Sequence, residues 1–439
     1  MSLPTYGEYR DSGVEWLGQV PRHWGLSRLK DVVEVVNGYP FDSKLFESDG
    51  TYPLIRIRDL DAYVTATRYS GEFIPSAAVT STDVLIGMDG EFNVGQWLGK
   101  EAALLNQRMC CVRTNSAALS TFLRHALPIP LRAINDITYS TTVKHLSSLH
   151  VEKLRFALPQ GEELAAIAAF LDREIVKIDA LIAEQEKLIA LLAEKRLATI
   201  SHAVTRGLNT KAPMKESRVA WLGKVPTHWS VAALGYLSSI DTGATPARDE
   251  PRFWNGTIPW VKTGEINWAP IRETEEYISE DGLANSAAKT ARPGTLLMAM
   301  YGQGVTRGRV ALLEIEASYN QACAAILFGP RMLPEFGRYF FMAAYEHVRD
   351  AGNETSQMNL SAGLIAKTQL TVPPIEEQFA AVRILDTETA KIDALDIEAR
   401  RAIELFKEHR SALISAAVTG QIDVRGAVAR FTFNEEVAT

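Results

Sequence analysis

Cysteine is scarce in this 439-residue chain, with only Cys110, Cys111 and Cys323. The adjacent Cys110 and Cys111 cannot form an ordinary zinc half-site, which needs a spacer between ligands. The eight histidines never fall into HExxH or HxxxH spacing. The thiols are therefore read as buried and structural, and no metal ligands are expected. Long apolar runs are also missing. None approaches 18 residues, and the first residues, MSLPTYGEYRDSG, contain no signal-like apolar stretch, so the sequence predicts no membrane contact and a cytoplasmic location. Catalytic signatures are absent too. Residues 95–100, GQWLGK, fall one short of a P-loop and are followed by Glu101. There is no GxGxxG opening a helix after a strand, no GxSxG elbow, and no Asn-Pro-Pro-aromatic tetrad of the kind amino-methyltransferases use. These absences predict a binding protein with no catalytic residues and no cofactor of its own.

A strong positive charge is lacking as well. The net charge is −7. It is −1 over 1–155, −2 over 156–210, 0 over 211–370 and −4 over 371–439. The excess acid sits on the segments read below as helices, so any nucleic-acid role must rest on local patches or on partners that supply phosphate contacts. With 46% hydrophobic and 23% charged residues the chain is globular, and its length suggests about three domains.

What is present is a repeat. VEWLGQVPRHW at Val14–Trp24 returns as VAWLGKVPTHW at Val219–Trp229, 205 residues later. KIDAL at Lys177–Leu181 returns at Lys391–Leu395, offset by 214. A period this long marks a duplicated multi-element module rather than a solenoid.

Two segments carry heptad seams. The first runs through Leu171, Ile175, Ile178, Ile182, Gln185, Ile189, Leu192, Arg196, Thr199 and Ala203. The second, offset by 214, runs through Leu385, Thr389, Ile392, Asp396, Ala399, Ile403, Phe406, Arg410, Leu413 and Ala417. Four-three alternation without Pro or Gly predicts long coiled-coil helices. Each follows a proline and opens with acids, Glu162–Glu163 and Glu376–Glu377, as the helix dipole favours. Forty-three residues from Glu162 to Val204 make a rod of about 64 Å, too long to stand alone with its apolar stripe exposed. Two matched rods invite pairing. The polar seam residues Gln185, Asp396, Arg196 and Arg410 either set register or lie at a wet margin of the seam.

Ahead of each rod lie some 155–160 residues of strand-like runs, such as YPLIRIRDL, MCCVRT, IPWVKTGEI and CAAILF, with shorter helical stretches at Leu119–Ala126 and Glu335–Ala351. These are α+β modules. Asn106-Gln107 matches Asn320-Gln321, and His145-Leu146-Ser147 matches Asn359-Leu360-Ser361. The WLGxVPxHW copies read as aromatic plugs onto the helix pair rather than ligand sites. Polar, glycine-containing loops are the better binding candidates, although each alone could be an ordinary solvated loop. Asn93, Gln96, Gln303 and Arg307 offer paired or forked geometry to base edges. Lys44, Lys100, Arg248 and Arg309 suit phosphates. Arg56, Arg58 and Lys262 lie in the loops after YPLI and IPWV, and Lys144 and Gln357 precede the return to each helix.

Taken together, WLGxVPxHW at both module starts, GATP…FWNGTIPWVKTGEI (Gly243–Ile266) with its echo GYPF…YPLIRIRDL (Gly38–Leu60), the Asn-Gln pairs and PPIEEQ (Pro373–Gln378) leading to KIDAL resemble the specificity subunit of type I restriction–modification enzymes over essentially the whole chain. The resemblance implies two target recognition domains joined by two long antiparallel coiled-coil helices, an α+β tandem repeat with pseudo-two-fold character. Its expected divisions are recognition domain 1–158, helical region 159–210, recognition domain 211–372, helical region 373–425 and a tail 426–439. Each domain would read one half of a bipartite target in double-stranded DNA. The helices would set the spacer and dock two methyltransferase subunits, which restriction and translocation subunits can join. S-adenosylmethionine, ATP and magnesium would belong to those partners. One departure stands out. PQGEEL at 159–164 lacks the second proline and the glutamine of PPIEEQ, which predicts a looser start to the first helix. Two other readings are a subunit serving a fused methylase–nuclease, and a coiled-coil scaffold without DNA.

Overall fold

The computed structural model describes residues 3–137, 144–302, 305–351 and 359–426. The chain divides into two compact units, 1–185 with 401–439, and 186–400. Two long helices, Glu162–Arg206 and Ile375–Val418, contribute to both, so each unit holds the first part of one helix and the last part of the other.

In the first unit a four-stranded antiparallel sheet runs in the order Val94–Gly95, Val84–Gly87, Met109–Arg113, Glu34–Asn37. Its central strands are apolar on both faces because both faces are covered. Val84, Ile86, Cys110 and Val112 pack with Phe122, Leu123 and Leu171. Leu85, Met109 and Cys111 pack on the other side with Ile55, Trp97 and Leu105. The period-two alternation of a strand thus sends neighbouring Cys110 and Cys111 to opposite faces. Burial pushes the Cys110 thiol up to about 12 and the Cys111 thiol higher still, as expected of inert structural thiols. A second sheet orders Phe46–Glu47, Arg68–Tyr69, Tyr52–Ile55, Ala103–Leu105 and Ala78–Val79, with a parallel pair between Tyr52–Ile55 and Ala103–Leu105.

The second unit repeats this plan. Ser238–Thr242, Cys323–Phe328, Leu296–Ala299 and Val310–Leu312 form one antiparallel sheet. Glu276–Ile278, Trp254–Val261, Ala317–Tyr319 and Thr290–Ala291 form the other, again with one parallel pair. The stretch expected to be one helix over 335–351 is two, Pro334–Ala343 and Tyr345–Ala351. In the first module the chain likewise breaks between Ala117–Ala126 and Pro128–Ile137, where proline fits only a helix's first turn. The matching anchors occupy matching places. Leu146 and Leu360 donate to the carbonyls of Met88 and Met300, while Ser147 and Ser361 cap the short helices that follow.

The helices pair antiparallel within each unit. In the first, Arg410 lies 3.4 Å from Asp179. In the second, Arg196 lies 3.1 Å from Asp393. Both arginines therefore bridge the helices. Asp396 instead bonds Arg400 on its own helix. No seam residue named above is exposed, so the heptad reading describes the buried stripe. The glutamine missing from the first copy has a specific job in the second. Buried Gln378 accepts from Leu333 N–H and donates to the carbonyls of Arg331 and Pro373. Its counterpart Leu164 packs against the first core instead. Despite that difference, and with Gly161 at φ 56°, the first helix begins within one residue of the place its repeat dictates.

The aromatic plugs tie helix starts to helix ends. Trp24 Nε1 donates to Glu163 Oε1 at 3.1 Å, with His23 Nε2 2.8 Å from Oε2. Trp229 Nε1 donates to Glu377 Oε2 at 2.9 Å, with His228 Nε2 2.7 Å from Oε1. Each indole also covers the glycine that ends the other long helix. A Cβ on Gly420 would lie 3.1 Å from Trp24, and one on Gly207 would lie 2.9 Å from Trp229.

Candidate nucleic-acid interface

Each module carries the same small frame at the end of its parallel strand pair. The N–H of Arg56 donates to Asp59 at 3.0 Å, closing the turn Ile57–Asp59. The N–H of Lys262 donates to Glu265 at 2.6 Å, closing Thr263–Glu265. Beside each turn runs an Asn-Gln corner. Asn106 Oδ1 accepts from Arg108 N–H and Asn320 Oδ1 from Ala322 N–H, so the asparagines are structural, while Gln107 and Gln321 are exposed. Gly38 and Gly243 cross these corners so closely that a Cβ would sit 1.9 Å from Asn106 O and 2.0 Å from Tyr319 O. Only glycine fits there.

In the second module the frame borders a cleft of about 1060 Å³ lined by Thr245, Arg248, Lys262, Arg272, Asn320 and Gln321. The Arg248 guanidinium lies 3.8 Å from the Trp254 ring centre and 4.8 Å from that of Trp260, a stacked arrangement that holds a cation in place. Its Nη1 bonds Glu276 Oε2 at 2.5 Å. Lys262 Nζ lies 2.8 Å from Glu275 and 3.0 Å from Glu276. These two carboxylates raise the lysine's pKa. Partial burial pushes the Glu276 carboxyl up, but the bonds from Arg248 and Lys262 outweigh it and hold the group below its ordinary range. Arg272 pairs with Glu314 at 2.6 Å.

In the first module Arg56 and Arg58 both reach the hydroxyl of Thr67, Arg58 at 3.2 Å. Lys44, Asn93 and Lys100 are exposed. Lys44 sits in a turn capped by Asp42. The structure thus brings together Arg56 with Arg58, and Arg248 with Lys262. The others lie apart from these groups. Gln96 accepts from Arg124 at 3.1 Å and faces a separate cavity of about 1080 Å³ beside the helix pair. Lys144 Nζ is tied to the Asn135 carbonyl and side chain at 2.6 and 2.9 Å. Arg307 is 9% exposed, against the expectation of a base-edge reader, and Arg309 is half-buried. Gln303 and Gln357 fall outside the described residues. Sequence reasoning missed Thr67 and Glu276. A signal existed, because TAT at 65–67 and TEE at 274–276 each place a threonine two residues ahead, and both threonines bond the same way, Thr65 Oγ1 to Thr67 O and Thr274 Oγ1 to Glu276 O at 2.8 Å.

Residues 21–190 and 226–405 match the family described as type I restriction modification DNA specificity domain. The chain belongs to this family. It is the DNA specificity subunit of a type I restriction–modification system, a non-catalytic component with two target recognition domains. It is similar to the EcoBI specificity subunit of Escherichia coli, 26% identical over 95% of this chain and 90% of that one. It is also similar to the MjaVIII specificity subunit of Methanocaldococcus jannaschii, 22% identical over 93% and 95%. Its fold resembles a chain solved in work on complex assembly and conformational transition of the type I restriction–modification system, with TM-score 0.66, 17% identity and coverage of 91% and 98%. It also resembles the HsdS subunit from Thermoanaerobacter tengcongensis, with TM-score 0.53, 15% identity and coverage of 92% and 98%. Among the described residues no helix is long and apolar enough to cross a membrane.

Proposed function

We propose that each recognition domain of this specificity subunit reads its own half of a bipartite duplex target through the loops around the Arg56 and Lys262 turns. Arg56, Arg58, Arg248 and Lys262 form the centre of the two contact sets. Lys44, Asn93 and Lys100 in the first domain and Arg309 in the second, which lie apart from these groups, are assigned as outlying contacts. The observation that carries this reading is one frame bearing different side chains. Gly38 and Gly243, the Asn-Gln corners and the capped turns are alike, while the groups projecting beside them differ. That is how one fold presents two specificities.

The helix pair, by the same reading, sets the spacer and docks two methyltransferase subunits. Apolar side chains left exposed on the helices, Val176 and Leu405 in one unit and Leu191, Phe379 and Ile397 in the other, supply surface for such partners. Those partners bring S-adenosylmethionine, and ATP-dependent restriction subunits bring ATP and magnesium. Partner cations also explain how a chain of net charge −7 binds a polyanion.

The test is the methylation pattern of genomic DNA in cells carrying the chain with its methyltransferase. A bipartite methylated motif is expected, and exchanging residues 1–154 for another family member's should change one half of it. Absence of any bipartite motif, or a change in both halves, overturns the reading.

A further inference from the structure

The two modules differ most informatively at one place. Strand pairing sets Trp260 opposite Glu276, and Leu54 N–H bonds the Thr67 carbonyl at 3.1 Å. The parallel partners agree, since Leu104 faces Leu54 and Ser318 faces Trp260. Thr67 and Glu276 are therefore the same position of the fold, just as Arg56 and Lys262 are. The first module puts a neutral hydroxyl against two cations there, Arg56 and Arg58. The second puts a carboxylate that engages two cations at once.

We propose that Glu276 is a specificity-determining residue of the second recognition domain, an internal competitor that occupies Arg248 and Lys262 until a correct half-site displaces it. The inference rests on the reading of that domain as a DNA reader. A carboxylate in the cleft binds the two cations in the free protein and repels phosphates that arrive in a wrong register. Arg248 is held by Trp254 and Trp260 and does not need the carboxylate to keep its position. Removing the charge thus leaves a preorganised cation open to any phosphate. On a correct half-site the remaining contacts outweigh the competitor, whereas on other DNA they do not. The first domain, with Thr67, has no such penalty at this position and tolerates non-specific DNA better.

The experiment compares the subunit in complex with its methyltransferase on two duplexes, one carrying the motif read from methylated host DNA and one scrambled. Glu276→Gln is expected to raise affinity for the scrambled duplex about tenfold, with little change on the motif. Its log-log salt slope on scrambled DNA should steepen by about 1–2. Thr67→Glu should do the reverse, weakening scrambled binding. Failure of either variant to move scrambled-duplex affinity overturns the proposal. Loss of motif binding by Glu276→Gln, with scrambled binding unchanged, also overturns it and makes the carboxylate a direct base contact. A wild-type complex that does not discriminate the duplexes at all overturns the DNA reading itself, and the inference with it.

Discussion

The Trp24 indole and the Glu163 carboxylate, 139 residues apart in the chain, meet at 3.1 Å and fasten the first module to the start of a long helix. Trp229 and Glu377 repeat the contact at 2.9 Å, but the two acceptors differ in exposure. The Glu163 side chain is 9% exposed and that of Glu377 44%. An indole N–H removed from a buried carboxylate leaves it under-bonded, whereas water replaces the bond at an exposed one. Trp24→Phe should therefore cost about 2 kcal/mol and Trp229→Phe under about 1 kcal/mol. Urea unfolding of the two variants checks this, and equal or reversed losses would count against the burial argument.

These contacts also show what a single sequence discloses. The repeat, the heptad seams and the acidic helix starts were all legible, because helix periodicity and capping are local. That the glutamates receive the His-Trp pairs was half-visible. Glu163 and Glu377 stand 214 apart, and His23 and His228 only 205, so the repeats do not keep one offset through the module. The same drift hid the equivalence of Thr67 and Glu276, 209 apart, while Arg56 and Lys262 are 206 apart. Loops of unequal length break the register of the comparison, and only strand pairing restores it. Lys144 and Arg307 teach a different lesson. Long cationic side chains in polar loops look free in a sequence, yet tertiary contacts tie one to Asn135 and bury the other.

Asp83 is the most consequential buried charge in the first module. It is fully buried and holds Arg113 through two bonds of 3.0 and 2.7 Å, while Thr80 N–H donates to it as well. Removing one partner of such a pair leaves the other without compensation in a poorly solvated site. Asp83→Ala should cost about 3–5 kcal/mol, visible as a fall of many degrees in thermal midpoint. A loss under about 1 kcal/mol, the range of exposed pairs, would show that water at the 28% exposed Arg113 side chain replaces the carboxylate.

The cross-helix pairs predict smaller and more specific effects. Arg196 with Asp393, and Arg410 with Asp179, lie at equivalent places but are partly exposed, so each contributes about 0.5 kcal/mol and less at high salt. Their value is register. Arg196→Asp should destabilise the helix pair by repulsion from Asp393, and adding Asp393→Arg should restore it. A double-mutant cycle with no coupling would remove these arginines from the list of register devices.

Acid sensitivity should concentrate in the first unit. His125, buried beside Asp172, has its pKa pushed down to about 4 from an ordinary 6.5, first by burial and then by Arg124. In the unfolded chain it gains a proton near pH 6.5, but in the folded chain it does not until about pH 4. The unfolded state therefore binds more protons across that window. Stability is fully present above pH 6.5, falls as the pH drops toward 4, and levels off for this group below it. The loss is on the order of 3 kcal/mol. At the equivalent position, 214 residues on, the second unit carries Tyr339, which does not gain a proton in this range and donates to Asp386 at 2.6 Å. His125→Tyr should therefore flatten the unfolding free energy between pH 6.5 and 4 relative to the wild-type chain, with the new hydroxyl bonding Asp172. A variant whose pH profile stays parallel to wild type would mean that carboxylates, not His125, govern the acid limb.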